Sequence, residues 1–81
     1  MNINVFPNPA SDLIAIQIID LVTEDLTIEL LDIAGKLIES KNIFKGTTIA
    51  CFETETLYNG TYILKISDSK NSISKRVVVS K

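Results

Sequence analysis

Apolar side chains recur at every second position in run after run of this 81-residue chain, and that period of two decides what it can fold into. From Leu13 to Ile18, Ile14, Ile16 and Ile18 share one face while Ala15 and Gln17 take the other, the pattern of a half-buried strand. The same alternation sets Leu26, Ile28 and Leu30 against Thr27 and Glu29, and Tyr62, Leu64 and Ile66 against Ile63 and Lys65. Residues 73–79 are rich in β-branched side chains and carry Lys75 and Arg76, which predicts an edge or near-edge strand. Shorter strands over 3–6, 36–39 and 48–54 bring the expected number to seven. In the last of these the phase is ambiguous, since Ile49 and Cys51 oppose Ala50 and Phe52; the reading adopted turns Phe52 inward. Residues 11–22 are the one helical competitor, and their β-branched content argues against a helix.

Turn signals fall between these runs at 7–12, 32–35, 45–46, 59–60 and 68–72. Pro7 and Pro9 fix φ and remove donors, so the chain leaves its first strand stiffly, with Ser11 or Asp12 expected to bond nearby backbone. Asp32 suits the first position of a turn, and Gly35 supplies positive φ before the next strand. Leu57, Asn59, Gly60 and Tyr62 have the form of a tyrosine corner, in which a Tyr hydroxyl bonds backbone a few residues upstream. These features predict one domain over 1–81, a seven-stranded antiparallel immunoglobulin-like β-sandwich with Greek-key connections.

Several function classes are disfavoured by composition. Histidine is absent, removing the commonest general base and metal ligand, and Cys51 stands alone, so neither an internal disulfide nor a multi-cysteine metal site can form. Without a histidine to activate it, Cys51 reads as a small strand residue. Asp32 alone is a poor calcium site, because calcium takes six to eight oxygens. Asp20, Glu24 and Asp25 share one loop and read as a solvated connection. No cofactor is expected. Mixed charges with a net of -2 provide no basic face for nucleic acid, and no apolar run nears the roughly 18 residues of a membrane helix. The start of the chain has no charged segment followed by an apolar stretch, so an export signal is expected further upstream, with Met1 then an expression start.

The order of motifs is more distinctive than any one of them. "VFPNPASD" at 5–12, "LIAIQI" at 13–18, "LLDIAGKLI" at 30–38, "LYNGTYILKI" at 57–66 and the closing "SKRVVVSK" resemble the type A C-terminal sorting domain of type IX secretion, over nearly the whole chain. The resemblance implies a non-catalytic address at the C-terminus of a protein exported by Bacteroidota. Its implied partners are an upstream cargo domain, the type IX translocon, an outer-membrane shuttle protein and a sortase-like peptidase that removes the domain. Cargo of that kind passes through the periplasm and outer membrane and is released or held at the cell surface on lipopolysaccharide. Residue by residue, Pro7, Asn8 and Pro9 match the opening motif, Asp32 and Gly35 the central turn, Gly60 and Tyr62 the late one, and Lys75, Arg76 and Lys81 the basic ending. Leu31 replaces a frequent aromatic and Thr54 a usual apolar residue.

Recognition is expected at the C-terminal strand with its basic end, an accessible edge for a receptor. The charges on that strand also suit a simpler role in discouraging aggregation. The rival reading is a fibronectin type III-like accessory module that binds carbohydrate or spaces domains in an extracellular enzyme. A chain with no Trp and two Tyr has little to stack against sugar rings.

Overall fold

A computed structural model of the chain describes residues 2–19 and 24–81. Its strands are β1 (Ile3–Phe6), β2 (Leu13–Ile18), β3 (Leu26–Asp32), β4 (Leu37–Ile43), β5 (Ile49–Glu53), β6 (Gly60–Ser67) and β7 (Ser72–Val79), with no helix among the described residues. They form two antiparallel sheets in the orders β1-β2-β5 and β4-β3-β6-β7. The chain changes sheet between β2 and β3, β4 and β5, and β5 and β6, the two-sheet plan compatible with an immunoglobulin-like sandwich. Here the fourth strand joins β3; in the constant-type plan it lies on the sheet of the first two. As expected for its basic strand, β7 is an edge.

The core is aliphatic, filled by Ile14, Ile16 and Ile18 of β2, Leu26, Ile28 and Leu30 of β3, Leu64 and Ile66 of β6, and Val77 and Val79 of β7. Phe52 resolves the ambiguous phase. It pairs with Ile14 across the β2–β5 ladder and so shares its inward face, fully buried, while neighbouring Cys51 points outward and is exposed. Ala15 faces out yet is buried, because it sits in the central strand of its sheet between Phe6 and Cys51.

β4 extends well past the expected 36–39, and the reason is chemical. A bulge between Leu30 and Leu31 sets its register so that Glu39, Lys41 and Ile43 stand opposite Leu30, Ile28 and Leu26, on the core-facing side. Two of those inward positions carry charges, so the strand lacks the apolar alternation that marks the others. Lys41 still works there: its ammonium lies 5.0 Å from the centre of the Phe52 ring, pairs with Glu39 and donates to the carbonyl of Cys51 on the facing sheet. An inward charge on an edge strand also discourages pairing with another chain.

Candidate functional site

Strand direction alternates along the chain, so the 7–12, 33–36 and 54–59 connections and the end of β7 gather at one end of the sandwich. Pro7, Asn8, Pro9, Asp32, Gly35, Gly60, Tyr62 and Lys81, picked out from the sequence, all lie at this end. Lys75 and Arg76 do not join them. They sit in the middle of β7, opposite Leu64 and Ile63.

Each connection is built around backbone satisfaction. Asn8 accepts a 3.0 Å hydrogen bond at Oδ1 from the Val78 N–H, Ala10 N–H donates to the Val78 carbonyl at 2.7 Å, and Ser80 N–H donates to the Ala10 carbonyl at 2.8 Å. The stiff segment, with cis peptide bonds before Pro7 and Pro9, thereby forms a short parallel bridge to the outer edge of β7 at Val79. Ser11 and Asp12, expected to bond through their side chains, contribute main-chain carbonyls: Thr54 Oγ1 donates to Ser11 at 2.9 Å and Thr54 N–H to Asp12 at 2.8 Å. That pairing explains why a hydroxyl is tolerated at a fully buried position where the resemblance leads one to expect an apolar residue.

In the central turn, Asp32 Oδ1 accepts from the N–H groups of Ala34 and Lys36, both at 2.9 Å, and Gly35 has a φ of 91°. A side chain added at Gly35 meets nothing, so the requirement for glycine is one of backbone conformation alone. The carboxylate is thus engaged in shaping a turn. In the late turn the Tyr62 hydroxyl donates to the Tyr58 carbonyl at 2.6 Å from a buried ring, the expected tyrosine corner. Lys81 closes the end: its N–H donates to Asn59 Oδ1 at 3.0 Å, and its ammonium donates to the carbonyls of Glu55, at 2.5 Å, and Leu57. Beside these loops runs an open groove lined by Asp32, Lys36, Leu37, Tyr58 and Tyr62.

Replacing Tyr62 by Phe is expected to cost about 1 kcal/mol through the lost corner bond. Tyr58→Phe should change stability little, because Tyr58 takes part through its carbonyl and its ring is 89% exposed. Urea unfolding of the two variants separates these outcomes.

At the opposite end Glu24 accepts from Ser69 N–H and Oγ, and Asp25 from Lys45 N–H, so both acids brace loops. Asp20 and Met1 lie outside the described residues. Hydrogen bonds from the N–H groups of Asn71 and Lys70 hold the Asp68 carboxyl below the usual carboxylate range. Among the described residues, no three His, Cys, Asp or Glu side chains cluster in a way that would hold a metal. Sequence reasoning missed Lys41, whose only signal is that it shares the phase of Ile43.

A family model described as the secretion system C-terminal sorting domain matches residues 4–80. A comparison with curated proteins found no match.

Proposed function

The chain belongs to the family of type IX secretion C-terminal sorting domains, and from that premise we propose that it directs an upstream cargo domain through the outer membrane by presenting a folded surface to the type IX machinery. The match over residues 4–80 carries this reading. The gathering of the opening, central and late motifs at one end of the sandwich supports it, since residues separated along the chain share one surface that a receptor can survey. On this reading the translocon and an outer-membrane shuttle protein are the partners, a sortase-like peptidase removes the domain afterwards, and the cargo is released or anchored at the cell surface. The polar motif side chains at that end, those of Asn8, Asp32, Tyr62 and Lys81, are engaged in internal hydrogen bonds, so their part in recognition is to hold loop shape. Lys75 and Arg76 are exposed and make no ion pair among the described residues, which leaves them available to a partner.

A glycan-binding module finds less support. Tyr62 is buried with its hydroxyl committed, leaving Tyr58 and the half-exposed Phe6 as the exposed aromatic rings at this end among the described residues.

Fused to the C-terminus of a periplasm-targeted fluorescent reporter in a host with type IX machinery, the 81 residues are expected to send the reporter to the surface or medium. A strain without the translocon should retain it in the periplasm. Retention of the intact fusion in the competent host, with the domain shown to be folded, would overturn the proposal.

A further inference from the structure

A sandwich of two open sheets has four edge strands, each a template for another chain, and three of them here are short, inwardly charged or bonded at one outward group. β5 has its Cys51 carbonyl taken by Lys41, and β4 carries Glu39 and Lys41 on its core-facing side. β1 spans only Ile3–Phe6 and ends at Pro7. β7, at eight residues, is the longest of the four, carries one charge, Lys75, in phase with buried Val77 and Val79, and is covered over only part of its length. Because Val78 turns both its N–H and its carbonyl outward, to Asn8 and Ala10, alternation along the regular β6–β7 ladder turns those of Ser74 and Arg76 outward as well. Neither of these residues has an outward hydrogen-bond partner among the described residues.

The hairpin that carries this open edge is predominantly positive. The hairpin of β6 and β7 holds four of the eight cations of the chain, Lys65, Lys70, Lys75 and Arg76, and one of its ten acids, Asp68. It is net positive in a chain whose formal charge is -2. On β7 itself Lys75 and Arg76 are consecutive, so they project from opposite faces of the sheet beside the open edge. A second copy pairing through the same edge would bring cations against cations.

We propose that the edge of β7 at Ser74 and Arg76 accepts an extended segment of a partner protein as an added strand, and that this segment carries two consecutive carboxylate side chains, one meeting Lys75 and the other Arg76. Main-chain bonds to Ser74 and Arg76 supply attachment, and the paired acids supply choice of partner. The bridge from Asn8 and Ala10 marks where the added strand must stop. The inference rests on the sorting reading and names the chemistry of the surface that reading requires.

The probe is an acetylated and amidated octapeptide, Thr-Val-Thr-Glu-Glu-Thr-Val-Thr, set against its counterpart with Lys-Lys at the centre. Two cross-strand pairs turned from attraction to repulsion correspond to about tenfold in affinity, so the acidic peptide is expected to bind the folded chain about tenfold more tightly. It should slow amide exchange at Ser74 and Arg76. Ser74→Pro removes an outward N–H while leaving the β6 ladder intact, and is expected to lose the binding while the unfolding midpoint is kept. Should that variant fail to fold, Lys75→Glu with Arg76→Glu provides the second reading, with preference switching to the Lys-Lys peptide. Equal binding of both peptides, protection at the groove of Lys36 and Tyr58 in place of β7, or undiminished binding by a folded Ser74→Pro chain would each overturn the inference. In the reporter assay, wild-type export together with undiminished Ser74→Pro export would overturn the edge inference and leave the sorting function standing.

Discussion

A chain truncated after residue 73 should lose its cooperative unfolding transition, and its fusion to a reporter should lose export. The deletion takes Val77 and Val79, each 1% exposed, out of the core. Full burial of one such side chain contributes about 1.5–3 kcal/mol. The pair therefore represents a large part of the roughly 4–12 kcal/mol expected for a domain of this length. The loss does not stop at the core, since β6 would become an edge, and Asn8 and Ala10 would lose the Val78 groups they bond. Circular dichroism melts of the isolated module and the surface fraction of the reporter should fall together, with the upstream cargo still folded. Removing Lys81 alone is a different case, because it deletes only exposed hydrogen bonds and should leave the fold in place. Normal export of the longer truncation would show that β7 is dispensable and would sink the recognition proposal.

Strands such as β2, whose inward positions 14, 16 and 18 are all apolar, proved legible from sequence by alternation, and β7 by its β-branched content despite Lys75 at an inward position. β4 was legible only at its start because its inward positions include Glu39 and Lys41, and local alternation has no way to show that a lysine lies over an aromatic ring on another strand. Two turns were read correctly from local signals, Asp32 to its own loop and Tyr62 to a carbonyl four residues back, whereas Ser11 and Asp12 bond through their main-chain carbonyls and not their side chains. Contacts spanning most of the chain were not legible. The bond from Val78 to Asn8 joins residues 70 positions apart, and nothing in either neighbourhood announces the other. Thr54 illustrates the same limit, since a departure from a family pattern becomes intelligible only once Ser11 and Asp12 are placed beside it.

The gathering of the motifs at one end has a simple cause. In a chain of strands that reverse direction at every connection, the first, third and fifth connections and the end of the seventh strand must fall together. Proline-bound, aspartate-capped and tyrosine-locked loops are three chemical ways of giving a backbone segment one shape, and each stiffens a different loop of the same surface. A signal that is read in the folded state needs such stiffness, because a receptor that must first order a loop loses affinity to its entropy. The β7 edge adds a directional element beside that surface, ending where the segment 8–10 begins.

Phe52→Ala is expected to be the most destabilising single truncation of a core side chain among the described residues, at about 3–5 kcal/mol. It removes the largest fully buried side chain and leaves an aliphatic cavity walled by strands of both sheets. It also withdraws the ring beneath the partly exposed Lys41 side chain, whose ammonium loses a contact of the kind that contributes about 0.5–1 kcal/mol at exposed sites. Cys51→Ala is the matched control: the adjacent residue, on the opposite face of β5, exposed, and bonding Lys41 only through a main-chain carbonyl that alanine retains. Its cost should lie within about 0.5 kcal/mol of zero. Urea midpoints of the two variants at equal m-value thus report the phase of β5 directly. A Cys51→Ala change that proved as costly as Phe52→Ala would mean that β5 presents its other face to the core, and the Lys41 clasp between the sheets would fall with it.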